Sequence, residues 1–306
     1  MILITEFMDD KAVEALQEKF EVIYDPSLAD AQEKIPALLK ETRVLIVRNR
    51  TRVTKQLLNA APHLTCVGRL GVGLDNIDQD ACASRDVIVY PATGANNLSV
   101  SEYVITSAMM LLRNAYLSRD QMEQGDWPRA DCAGREISGK TLGLVGYGAI
   151  ARETAIIAKA LGMKIAAFDP FLPPSHEAWN DVQNLSLNTL MAECDVVSLH
   201  TPLNNETRHL INVKNLSLMK PDAVLINAAR GGVVDEDALA SALLAGKLGG
   251  AALDVFEVEP LTQNSAARFS GINNILLTPH IAGVTVESNQ RVSALIAEKV
   301  INHLTE

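Results

Sequence analysis

An apolar run, Leu142-Gly143-Leu144-Val145, leads directly into Gly146-Tyr147-Gly148-Ala149-Ile150-Ala151. This is the G-x-G-x-x-A spacing that holds a dinucleotide pyrophosphate. Gly146 permits a tight turn out of a strand, Gly148 lets the backbone approach an anion, and Ala151 is small enough for close helix–strand packing. A helix opening on Ala149 and Ile150 offers its free N–H groups to that anion. A helix-forming run (Arg152–Leu161) and a second strand ending in Asp169 follow. Asp169 therefore stands about twenty residues past the first glycine, where a carboxylate accepts hydrogen bonds from a ribose 2′-OH. Such a carboxylate repels a 2′-phosphate, and Pro170-Phe171 supply no cation to offset that. The cofactor expected is NAD, not NADP.

Three later segments carry further side chains fit for chemistry. They are Asn227-Ala228-Ala229-Arg230-Gly231-Gly232-Val233-Val234-Asp235, Leu253-Asp254-Val255-Phe256-Glu257-Val258-Glu259-Pro260 and Thr278-Pro279-His280-Ile281-Ala282-Gly283. Imidazole exchanges a proton close to neutral pH, and a carboxylate beside the ring favours its charged form and fixes its orientation. Arginine offers a planar fork that holds a carboxylate through two hydrogen bonds. Each charged residue follows a predicted strand, at the carboxyl end where parallel sheets collect their ligands.

The elements that position these residues read as short apolar strands alternating with helices. Ile2-Leu3-Ile4, Val44–Val47, Val67-Gly68 and Val87-Ile88-Val89 are expected strands, with Asp10–Lys19 and Thr54–Ala60 helical between them. One long helical stretch is expected from Ser99 to about Arg119, opening with the capping box Ser99-Val100-Ser101-Glu102. A polar, glycine-containing segment follows through Gly134. The second series runs from Thr141 through Lys164–Phe168, Val196–Leu199, Val224–Asn227, Gly250–Leu253 and Ile275–Leu277 to a final helix, Val286–His303. Strands separated by helices imply βαβ units and parallel sheets covered on both faces. The fold class expected is α/β, with two doubly wound domains and a ligand cleft between them.

Composition narrows the function. The 306 residues suffice for two domains, and a formal charge of -10 argues against nucleic-acid binding, which needs a surplus of Lys and Arg. Cys66, Cys82, Cys132 and Cys194 form no CxxC pair and read as small packed residues of a reducing cytoplasm. The six histidines show no metal-ligand spacing, so no metal is expected. The N-terminus reads as a strand and not a signal peptide, and no stretch has a membrane span's apolar length.

In order and spacing these segments resemble the D-2-hydroxyacid dehydrogenase family, which includes phosphoglycerate dehydrogenases and hydroxypyruvate reductases. The resemblance spans essentially the whole chain, taking in Gly68-Arg69-Leu70-Gly71-Val72-Gly73-Leu74-Asp75-Asn76-Ile77-Asp78 and Asn97-Leu98-Ser99-Val100-Ser101-Glu102. It implies an NAD-dependent hydride transfer to or from C2 of a small 2-hydroxy acid. Arg230 would bind the substrate carboxylate, His280 would be the acid/base and Glu259 its partner. A hydride leaves readily only from a carbon whose hydroxyl proton is being removed, and this set supplies that removal. The resemblance places Ala228 and Asp254 near the nicotinamide, makes Gly283 a cofactor-binding residue, and sets His200-Thr201-Pro202 beneath the cofactor, His200 as a packing or hydrogen-bonding residue. Gly71, Val72 and Gly73, with Asn97, would meet the substrate. It also implies a Rossmann-type cofactor domain, 97–282, inserted into a flavodoxin-like substrate domain of 1–96 and 283–306. A dimerisation arm at about 99–135 would make a homodimer.

For the substrate, Arg48-Asn49-Arg50-Thr51-Arg52 follows a strand, and Arg48 matches a substrate-contacting position of phosphoglycerate dehydrogenases. With Arg69, these arginines in an acidic chain point to a second anionic group on the substrate. Together with Glu6-Phe7-Met8 they most resemble sulfolactate dehydrogenases, with 3-phosphoglycerate, hydroxypyruvate, glyoxylate and plain 2-hydroxy acids open as alternatives. The chain ends just after the returning helix, so allosteric control of the serine-pathway type is not expected. An NAD-sensing corepressor and phosphite oxidation are the other readings of this fold; formate is disfavoured because Glu259 stands where formate dehydrogenases resemble one another in a glutamine.

Overall fold

The computed structural model describes residues 1–116 and 118–305. Leu117, within the expected long helix and arm, and Glu306, the end of the expected substrate domain, lie outside the described residues. The chain divides into two compact units, Met1–Asn96 with Val284–Glu306, and Asn97–Gly283.

The first unit is built on strands β1 (Ile2–Ile4), β2 (Val22–Tyr24), β3 (Val44–Val47), β4 (Cys66–Arg69) and β5 (Ile88–Pro91). They pair in parallel in the order β2-β1-β3-β4-β5, the flavodoxin-like order. Alternate side chains serve opposite faces. Leu3, Leu45, Val47 and Val67 pack with Leu57 and Leu58 on one side. Ile2, Ile4, Val44 and Ile46 pack on the other with Leu16 and with Val292, Ile296 and Val300 of the final helix, Val286–Thr305. That packing explains why the C-terminal helix returns to the first unit. Each fully buried aliphatic of this kind contributes about 1.5–3 kcal/mol.

The second unit carries β6 (Thr141–Val145), β7 (Lys164–Phe168), β8 (Gln183–Asn184), β9 (Val196–Leu199), β10 (Val224–Asn227), β11 (Gly250–Leu253) and β12 (Ile275–Leu277). Its all-parallel order, β12-β11-β10-β9-β6-β7-β8, reverses direction next to β6, which makes a topological switch point there. Leu142, Leu144, Val224 and Ile226 fill one face, and Val145, Val197, Leu199 and Leu225 the other.

Three features depart from the sequence reading. The edge strands β2 and β8 were not anticipated; β8 is two exposed polar residues, so it carries no apolar signal. The long helix runs Asn97–Arg113 and stops where Asn114 takes a left-handed φ of 51°, a common helix terminator; a separate helix follows at Arg119–Glu123. Ser99 and Ser101 lie buried inside that first helix and do not cap it. Ser101 Oγ instead donates to Ile150 O (3.2 Å) and accepts from Thr154 Oγ1 (3.0 Å), locking this helix to Ala149–Ala160. Among the cysteines, Cys66, Cys82 and Cys194 are buried, whereas Cys132 is partly exposed. No helix among the described residues is long and apolar enough to cross a membrane.

Candidate active site

The glycine turn sits at the end of β6, beside the switch point. The Gly146 amide donates to Phe168 O at 2.7 Å, and a Cβ at Gly146 would lie 2.7 Å from His200 O, so only glycine fits. Gly148 precedes the helix Ala149–Ala160, and a Cβ there would meet nothing within 4 Å. The space before the helix N-terminus is thus open to an anion. Asp169 follows β7; its Oδ2 accepts from Tyr147 N and its Oδ1 from Phe171 N, each at 2.9 Å. The turn therefore fixes the carboxylate's position. Thr201 Oγ1, beside Gly146, is buried and has no hydrogen-bond partner among the described residues. An open glycine turn, a fixed carboxylate and an orphaned hydroxyl fit a dinucleotide. Asp169→Ala is expected to lower the NADH-over-NADPH ratio of kcat/KM by about ten- to a hundredfold, the worth of a hydrogen bond to a charged group. An unchanged ratio would remove Asp169 from ribose recognition.

His200 hydrogen-bonds Ser198 Oγ through Nε2 at 3.0 Å. Burial pushes its pKa down to about 4, so the ring is neutral at physiological pH. As pH falls, the unfolded chain takes up this proton first. The stability is complete above about 6.5 and is lost as pH falls through the folded value of about 4. The full shift would be worth about 3 kcal/mol, and residual solvent contact reduces that to about 2 kcal/mol. The check is the urea midpoint at about pH 7.5 and about pH 4.5: His200→Gln should lose less stability on acidification than the native protein.

The three segments singled out by their charged residues follow β10, β11 and β12, which are neighbours in one sheet. That adjacency assembles them. The His280 Nδ1 and Glu259 Oε2 lie 2.7 Å apart, both side chains partly exposed. Glu259 Oε1 accepts from Phe256 N at 3.0 Å. Burial pushes the Glu259 carboxyl up, but the hydrogen bonds from His280 and Phe256 and the charges of His280 and Arg230 outweigh it. The net result lies below the usual carboxylate value.

Asp254 holds the loop that presents His280. Its carboxylate is fully buried; Oδ1 accepts from Thr278 Oγ1 (2.6 Å) and Ile281 N (2.8 Å), and Oδ2 from Ala282 N (2.7 Å). The Asp254 carbonyl accepts from His280 N at 2.8 Å. These bonds hold His280 at a φ of 58°, a left-handed conformation that a non-glycine residue adopts only under such constraint. Thr278 gives its one proton to Asp254, so Tyr103 Oη donates to Thr278 Oγ1, at 2.6 Å. Burial raises the Asp254 pKa against these hydrogen bonds.

On the neighbouring loop, Asn227 is buried and bridges both ends of the turn that delivers Arg230. Its Nδ2 donates to Arg230 O (2.9 Å) and its Oδ1 accepts from Ala229 N (3.1 Å). The partly exposed Arg230 donates through Nη1 to Ala229 O at 2.6 Å. A Cβ at Gly231 would fall 1.7 Å from Phe256 O, so glycine alone lets the Arg230 and Glu259 loops touch. Asn227, Tyr103 and Gly231 were not assigned roles from sequence. An Asn closing an apolar strand and a Gly directly after the Arg were the only available signals.

In the first unit the Arg48 and Arg50 side chains are held by different partners. Arg48 Nη2 donates to Asn289 Oδ1 at 2.7 Å. Arg50 pairs with Asp30, both largely exposed. Arg69 Nη1 donates to Leu70 O at 3.2 Å and lies across Gly71. Gly71, Val72 and Gly73 form the loop after β4. Asn97 opens the second unit's first helix, Ala228 follows β10, Pro202 lies in the loop after β9, and Gly283 ends that unit.

Residues 105–282 match the family model described as D-isomer specific 2-hydroxyacid dehydrogenase, NAD binding domain. An (S)-sulfolactate dehydrogenase of Chromohalobacter salexigens is 52% identical over 98% of this chain and 96% of its own length. A hydroxypyruvate reductase of Thermotoga maritima is 36% identical over 97% of this chain and 96% of its own. Among solved structures, a D-lactate dehydrogenase from Aquifex aeolicus complexed with NAD and lactic acid superposes with a TM-score of 0.88 at 28% identity, covering 100% of this chain and 96% of that one. The matched segment contains the glycine turn, Asp169 and the three charged loops, and the chain belongs to the D-isomer-specific 2-hydroxyacid dehydrogenases, carrying their NAD-binding domain.

Proposed function

We propose that Arg230, Glu259 and His280 form the catalytic set, acting on a 2-hydroxy or 2-oxo acid with a second anionic group, of the sulfolactate type. The observation that carries the catalytic part is the 2.7 Å His280–Glu259 pair beside Arg230, whose charge acts on the same carboxylate. Gly146, Gly148, Ala149, Ile150, Asp169 and the Thr201 hydroxyl would hold the dinucleotide. When bound, the nicotinamide accepts or supplies the hydride at C2. Glu259 occupies Nδ1 of His280, which leaves Nε2 to exchange the proton of the substrate oxygen. In reduction, His280 gives this proton to the carbonyl oxygen; in oxidation it removes it, and Glu259 stabilises the imidazolium. Arg230 would bind the C1 carboxylate and polarise the carbonyl.

The substrate class is supported by the 52% identical sulfolactate dehydrogenase and by Arg48 and Arg69 in the first unit. The test follows NADH oxidation with sulfopyruvate, phosphohydroxypyruvate, hydroxypyruvate, glyoxylate and pyruvate. Highest kcat/KM on sulfopyruvate supports the reading, and highest on hydroxypyruvate favours the second one, which the Thermotoga relative supports. Silence on all five defeats both. A cytoplasmic homodimer joined through the 99–135 segment completes the proposal, supported by the exposed Met109, Met122 and Trp127 there. A monomeric mass in solution would overturn the dimer.

A further inference from the structure

Glu6, just beyond β1, is a carboxylate only 4% exposed, and the backbone of the loop after β3 closes around it. Its Oε1 accepts from the amides of Arg48 (2.8 Å), Arg50 (3.2 Å) and Thr51 (2.9 Å), and its Oε2 from Asn49 (3.3 Å) and Arg50 (3.1 Å). Four consecutive amides thus form an anion-binding nest filled by the chain's own side chain. The carbonyls are held from elsewhere. Asn76 Nδ2 donates to Arg48 O (3.2 Å) and Thr51 O (2.7 Å), and Gln32 Nε2 to Arg50 O (2.9 Å). A loop outside any strand or helix is therefore fixed by side chains from three separate segments. Asn76 also belongs to the segment containing Gly71–Gly73, so the two loops of this unit proposed to meet substrate are tied together.

The side chain that leaves this loop is restrained as well. Arg48 Nη2 donates to Asn289 Oδ1 at 2.7 Å, and its guanidinium carbon stands 6.0 Å from the Phe7 ring centroid. Guanidinium has five N–H donors, so this tether leaves donors for a ligand. We infer that Glu6 and Asn289 are positioning residues for substrate specificity, holding Arg48 preorganised for the second anionic group of the substrate. The inference rests on the substrate class proposed above. A free arginine loses rotamer entropy when it captures an anion, and one already held does not. Side-chain capture thereby turns a flexible surface cation into a directional receptor.

The test compares kcat/KM for sulfopyruvate with that for pyruvate in the native enzyme, Arg48→Ala, Asn289→Ala and Glu6→Gln, with NADH affinity checking that each variant is folded. The native enzyme is expected to favour sulfopyruvate, and Arg48→Ala to lower the ratio by about a hundredfold. Asn289→Ala and Glu6→Gln are expected to lower it by about tenfold, chiefly through the KM for sulfopyruvate. A merely structural role would depress both substrates alike and leave the ratio unmoved. If Arg48→Ala lowers the ratio and the other two do not, the positioning role is overturned while the substrate class stands. No preference in the native enzyme overturns both. Should Glu6→Gln fail to fold, Asn289→Ala decides, because its side chain holds Arg48 without entering the nest.

Discussion

Replacing His280 with alanine is expected to lower kcat by about 10³-fold, within the usual range for a general acid–base group, while NADH affinity stays close to native. The pair geometry motivates this size. With Nδ1 committed to Glu259 at 2.7 Å, the ring has one nitrogen for the substrate. Of the other imidazoles, His209 is paired with Glu257 at 3.0 Å, and His200 is held neutral by burial. Because His280 has a left-handed φ of 58°, alanine strains the turn, and asparagine tolerates that conformation better. His280→Asn should therefore lose a comparable amount of turnover with less loss of stability. The decisive readout is single-turnover kinetics alongside NADH titration. Weakened NADH binding with intact turnover would remove His280 from the proton path.

Replacing Arg230 with lysine is expected to reduce kcat/KM by about 10²-fold, although the charge is retained. Lysine is a point charge and cannot present two parallel N–H groups to a carboxylate. Loss of one charged hydrogen bond in a site of this kind corresponds to about 1.5–3 kcal/mol. Arg230 also acts on Glu259, helping to hold that carboxyl ionised against burial. Arg230→Ala should therefore lower kcat as well as raise KM, whereas Arg230→Lys should act more through KM. Steady-state kinetics on one 2-oxo acid separates these effects. Equal kcat/KM for native enzyme and Arg230→Lys would show that the fork is not used.

The same loops show why some residues were readable and others were not. Arg230, Glu259 and His280 were legible because each lies in a segment that follows an apolar strand and, in order and spacing, resembles a known family. Asn227 and Tyr103 gave no such notice. Their importance lies in what they bond, Arg230 O and Thr278 Oγ1, and those partners are set by three-dimensional proximity. Ser99 misled for a related reason: the capping pattern was present, but burial against the neighbouring helix gave its segment another use. The arginines of the first unit looked like one cluster, yet Arg50 is paired with Asp30 while Arg48 is held by Asn289, 241 positions away.

Sequence by itself determined the alternation of apolar strands and helices, the glycine turn with the carboxylate that follows it, and the identities of the charged residues that follow strands. These are local properties, set by side-chain volume, backbone freedom and the two-residue period of buried strands. Only the tertiary structure decided that β10, β11 and β12 are neighbours, which brings His280 and Glu259 within a hydrogen bond. It also decided that a buried Asp254 sets the turn under His280, and that Glu6 organises the loop bearing Arg48. Those outcomes depend on contacts between distant segments, where burial forces each polar group to find a partner and the fold determines which partner is within reach.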